Sequence, residues 1–84
     1  MDVENESLEE NEELEELRLL LERLESEEEE VSALRRKLHD RLASFPNAET
    51  ERRERDLSTR RKALHDEIDR VRAYQETLRT ELRE

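Results

Sequence analysis

The chain has 84 residues, half of them charged, with no Gly, Cys or Trp, a single Pro, Phe and Tyr, and a formal net charge of −10. So little apolar bulk excludes a filled three-dimensional core but suits long helices that bury one narrow seam. The lack of Gly excludes glycine-rich phosphate loops, and the lack of Cys excludes a disulfide staple.

The charge is unevenly placed. Residues 1–30 hold fifteen acids against Arg18 and Arg23, a net of −13, whereas residues 31–84 hold fourteen bases against eleven acids, a net of +3. DNA is therefore not an expected partner, because its affinity rests on neutralised phosphates. A small anion on the second half remains compatible with the charge. No apolar run approaches the roughly 18 to 20 residues of a spanning helix, and the acidic start is unlike a signal peptide. A cytoplasmic chain that does not span a membrane is expected.

In chain order, residues 1–7 read as an acidic, disordered N-terminus. A first helix is expected over 8–45, with Ser7 and Glu10 placed for a capping box. Its apolar and polar seam runs through Leu14, Leu17, Leu21, Leu24, Glu28, Val31, Arg35, Leu38, Leu42 and Phe45 in alternating steps of three and four. Pro46 disfavours a helical Phe45, so this helix should stop near Ser44. Residues 46–47 form the turn, with Asn47 as N-cap of a second helix over 48–84. The second seam is Glu54, Leu57, Arg61, Leu64, Ile68, Val71, Gln75, Leu78 and Leu82.

Two such heptad seams predict an all-α fold, two long helices in an antiparallel coiled coil. The short break favours a hairpin in which Val31 faces Arg61, Arg35 faces Leu57, Leu38 faces Glu54 and Leu24 faces Ile68. A homodimer in which the second helix pairs with its own copy satisfies the same matching. Leu19, Leu20 and Leu34 lie off the seam. They are either scattered surface leucines or, for Leu20 and Leu34, a ridge for a partner.

The seam residues belong to a repeat. Glu28, Ser32, Arg35 and His39, closed by Ala43, are matched by Glu54, Ser58, Arg61 and His65, closed by Asp69. Helical steps of four, three, four and four put each row within roughly 80° of one face. Arg35 and Arg61 stand where Leu or Ile would pack better. One reading pairs them with Glu28 or Glu54 as devices that fix register. The other docks an anion or a base on the guanidinium, which bonds phosphate bidentately and stacks on purines. Ser32 and Ser58 would then add hydroxyl donors, His39 and His65 would donate or stack, and Asp69 would accept from guanine. His65 with Asp69 is at most half a metal site, so no metal is expected. Two helices form no closed pocket and no activated nucleophile, so no enzyme is expected.

The row Glu54-x3-Ser58-x2-Arg61-x3-His65-x3-Asp69, within RERDLSTRRKALHDEIDRVRA, resembles the cyclic di-GMP signature of the RsiG anti-sigma factors of actinobacteria. The resemblance covers about residues 14–72. The family motif has Gln where this chain has His39 and His65, and Ala43 departs from it in the first copy. The resemblance implies an antiparallel coiled coil that binds a pair of cyclic di-GMP molecules and then sequesters a WhiG-like sigma factor. It implies ligand binding by Glu54, Ser58, Arg61, His65 and Asp69, with secondary contacts from Glu28, Ser32, Arg35 and His39. Charge would be balanced by the basic stretch Arg35, Arg36, Lys37, Arg60, Arg61 and Lys62, and the acidic first third would engage basic surfaces of the sigma factor. One complete motif in a short chain is similar to the small, homodimeric members, so a homodimer is expected, with the hairpin monomer as the other possibility.

Overall fold

The computed structural model describes the backbone of residues 3–83 and the side chains of residues 11–83. Two helices, α1 (Val3–Ser44) and α2 (Ala48–Arg83), lie antiparallel as a hairpin measuring 66 × 15 × 15 Å. The length is close to the roughly 63 Å expected of the 42-residue α1 at about 1.5 Å per residue. The hairpin is thus a single rod, as the two seams predict. No helix among the described residues is long and apolar enough to cross a membrane.

The break falls where Pro46 places it. Phe45 still donates its backbone N–H to the Arg41 carbonyl at 2.7 Å, and the chain then leaves the helix. Asn47 caps α2 by accepting the backbone N–H groups of Glu49 and Thr50 on its Oδ1, at 2.9 and 3.2 Å. Replacing a cap of this kind costs about 1 kcal/mol. Asn47→Ala is accordingly expected to lower the urea midpoint by that much stability, whereas Asn47→Asp should leave it nearly unchanged.

Three expectations need correction. The segment 1–7 is not disordered throughout, since α1 already begins at Val3. The first turns are rich in Glu and lack any helix breaker, and acids there complement the positive end of the helix dipole. Ser7 lies within the helix, and the side chains of its proposed capping box with Glu10 fall outside those described. Phe45, assigned to the seam, is 74% exposed, because the helix stops one residue before it. Leu20 does not form a ridge with Leu34. It packs on the core, while Leu34 stays 48% exposed.

The core is Leu24, Val31, Leu64, Ile68 and Val71, flanked by Leu17, Leu20, Leu21 and Leu57. Leu78 and Gln75 are also buried. Every one of these except Leu20 is a seam residue. Between this apolar stretch and the turn, the seam becomes polar. Glu28, Arg35, Glu54 and Arg61 are only half-buried there, and so are Leu38 and Leu57.

Candidate functional site

The polar part of the seam is built by the repeat itself. A helical step of seven carries Glu28 to Arg35 and Glu54 to Arg61 on one face of each helix, with a serine between them. Folding the chain at Pro46 lays the two rows side by side in opposite directions. Each arginine then reaches across the seam into the other row.

Arg61 donates from Nε to Ser32 Oγ at 3.0 Å and to Glu28 Oε1 at 3.3 Å. Arg35 donates from Nε to Ser58 Oγ at 2.7 Å and to Glu54 Oε1 at 3.1 Å. Each serine in turn donates to the glutamate of its own row, Ser32 to Glu28 at 2.7 Å and Ser58 to Glu54 at 3.2 Å. The result is a double clamp with approximate twofold symmetry. Arg61 grips the residues three before and one after Val31, its expected opposite, and Arg35 does the same about Leu57. The predicted register is the observed one.

The clamp explains why arginine is tolerated in the seam. Each glutamate is mostly covered, at 18% and 16% side-chain exposure, while Arg61 and Arg35 remain 42% and 36% exposed. Nε is satisfied inside the seam, and the stem lies across it with the end group at its edge. No buried side-chain nitrogen or oxygen among the described residues lacks a partner. Only Nε of each guanidinium is engaged. The two Nη groups make no hydrogen bond among the described residues, so the fork that recognises phosphate is free on both arginines.

The histidines are not equivalent. His65 Nε2 lies 3.1 Å from Glu28 Oε1 and joins the first clamp. His39 makes no ion pair among the described residues, and it lines a shallow hollow at the turn with Ala43, Pro46 and Glu54. Asp69 is exposed and stands outside the clamp, about 12 Å from Arg61 along α2 at about 1.5 Å per residue. A larger open groove beside the clamp is lined by Ser26, Glu28, Ser32, Ala33, Arg36 and Arg61.

The basic set expected from the sequence divides. Arg36 lines the groove, but Arg60 is bonded to Glu27 on α1 and so already has a partner. Lys37 follows Arg35 by two residues, about 200° around the helix, which turns it away from the clamp. Two further links, from Arg72 to Glu25 and from the Tyr74 hydroxyl to Glu13, both at 2.6 Å, join the helices towards their open end.

Electrostatically, Glu28 is the most informative member. The hydrogen bond from Ser32 holds its carboxyl below the usual carboxylate range, with further help from His65 and Arg61 and against the opposing effect of burial. A carboxyl depressed in the folded state stabilises the fold above its unfolded value of about 4.5, and that stabilisation is lost as pH falls through the lower, folded value. Glu28→Gln should therefore flatten the acid limb of thermal stability. Melting followed by circular dichroism from pH 6 to pH 3 should show the wild type losing its margin over the variant below about pH 4.5.

The sequence identified both arginines as seam residues and named Glu28 and Glu54 as their candidate partners. It did not specify that the pairing crosses from one row to the other, or that serine is the shared link. No family model, curated protein or solved structure matches this chain.

Proposed function

We propose that the chain is a cyclic di-GMP-dependent anti-sigma factor, which sequesters a WhiG-like sigma factor when the nucleotide occupies the clamped face. The observation that carries the reading is the pair of seam arginines, fixed at Nε by the opposite row with both Nη forks free. A guanidinium held in this way has already lost much of its rotamer freedom, so less entropy remains to be lost when a phosphate docks. The hairpin also lays the two motif rows against each other, which suits a ligand taken as a pair of molecules.

In this proposal, Arg61 and Arg35 bond phosphodiester oxygens or stack on guanine, and Ser58 and Ser32 hold them in place. Arg36 and Lys62 contribute positive charge. Asp69, exposed and outside the clamp, accepts from the N1–H and N2–H groups of a guanine. Ala43 offers no such acceptor, so the two rows bind unequally, with 54–69 dominant. His65 and His39 donate or stack in the place of the family's Gln. Bound ligand bridges the two helices and stabilises the rod by mass action. The acidic stretch of α1 then presents negative charge to a basic surface of the sigma factor.

A specific observation also favours a second reading, an adaptor coiled coil without a nucleotide ligand. Both arginines already have partners inside the seam, which register control alone would explain. Retention of a purified WhiG-like sigma factor on the immobilised chain separates the two. The proposal expects retention with cyclic di-GMP, none without it, and none by Asp69→Ala. Equal retention with and without nucleotide would overturn it in favour of the adaptor.

A further inference from the structure

The outer face of α1 carries a row that neither the seam nor the clamp uses. Leu19 and Leu34 are 51% and 48% exposed on it. Glu12 and Glu16 precede Leu19, Lys37 and Arg41 follow Leu34, and Arg23 and Glu30 lie between the two leucines. At about 100° per residue these positions fall in a stripe roughly 60° wide. The six charged residues are all exposed, and none makes an ion pair among the described residues. This contrasts with Arg60, Arg61 and Arg72, each of which is bonded across the hairpin.

The row is its own complement when reversed. Set against a second copy running the opposite way, Glu12 meets Arg41, Glu16 meets Lys37, Leu19 meets Leu34 and Arg23 meets Glu30. Twofold symmetry repeats every one of these pairs. The register is selective. A slide of one heptad in one direction sets Arg23 against Lys37 and Leu19 against Arg41. A slide in the other direction sets Arg23 against its own copy and Leu34 against Glu12. A parallel copy in register opposes like charges throughout. The long-range field acts in the same sense, since residues 1–30 hold fifteen acids and two bases while the turn end is rich in arginine.

We propose that this face is an interface between two copies of the chain, related by a twofold axis that crosses α1 between Ser26 and Glu27. Two intact hairpins associate side by side, with the acidic end of each beside the basic turn of the other. The interface differs from a pairing of α2 with its own copy. It is centred about 160° around α1 from the clamp and requires no nucleotide, with Ser26 and Glu30 at the border it shares with the groove beside Arg61. The Arg23–Glu30 pairs lie between the two leucine contacts and the other charge pairs lie outside them, all solvent-exposed, so the association is moderate and salt-dependent.

Sedimentation equilibrium of the full chain at low and high salt tests this, with circular dichroism to check helix content. A dimer that weakens as salt rises is expected. Leu34→Glu should weaken it at least about tenfold without loss of helix, and Arg23→Glu should weaken it too. The double exchange Arg23→Glu with Glu30→Arg should restore association, because it reverses the pair while keeping it complementary. Ser26→Cys should cross-link to its own copy through a short thiol reagent, and Asp69→Cys should not. A monomeric wild type, a dimer indifferent to Leu34→Glu, or cross-linking at position 69 in place of 26 would overturn the proposal.

Discussion

Leu64→Ala is expected to cost about 2–5 kcal/mol and to leave the hairpin barely folded at room temperature. Leu64 is 4% exposed and sits in a cluster of five buried apolar residues among those described, so its loss removes a large share of the packing. A domain of this size holds roughly 4–12 kcal/mol in total, at about 0.05–0.15 kcal/mol per residue, and a two-helix rod with few buried side chains belongs at the low end. Leu34→Ala is the control. Being half-exposed and outside the core, Leu34 should contribute no more than about 0.5 kcal/mol to the fold of one hairpin. Urea titrations of both variants in dilute solution provide the comparison. A Leu64→Ala midpoint equal to that of Leu34→Ala would mean that the two helices are not held by the seam described.

Arg61→Leu is expected to separate stability from ligand binding. The Arg61–Glu28 pair is 3.3 Å long with the arginine 42% exposed, and such pairs contribute about 0–1 kcal/mol. A leucine at this seam position packs where the register puts Val31, and Glu28 keeps its bond from Ser32. The melting temperature should therefore stay level or rise. Affinity for cyclic di-GMP, by contrast, should fall by about 10- to 150-fold, the equivalent of a charge-assisted bond worth about 1.5–3 kcal/mol. A stabilised chain that no longer binds is the pattern expected where a fold keeps a suboptimal residue for its ligand. If Arg61→Leu instead bound as well as the wild type, the arginine would be a register device.

Much of the architecture was legible in the residues. Pro46 and Asn47 marked the break because each acts through a local rule, the restriction before proline and the capping of free N–H groups. Leu24 opposite Ile68 and Val31 opposite Arg61 followed from matching two heptad seams. What escaped depends on which of several near-equal options three-dimensional packing selects. Glu28 and Glu54 each lie seven residues, about 10 Å, from the arginine of their own row, and the pattern along one helix does not show which groups the fold brings across the seam. Phe45 kept the seam spacing but lost the helix. Leu20, one residue off the seam, was drawn against the core, where a helical wheel places it at the edge. Asp69 has the position the motif requires, and its distance from Arg61 follows from eight residues of helical rise.

The clamped seam is proposed to read a guanine cyclic dinucleotide. Isothermal titration of the wild-type chain with cyclic di-GMP and with cyclic di-AMP tests it most directly. Saturable binding of the guanine ligand, little or none of the adenine ligand, and loss of that selectivity in Asp69→Ala are expected. No heat of binding with cyclic di-GMP, or equal binding of both dinucleotides, would contradict it.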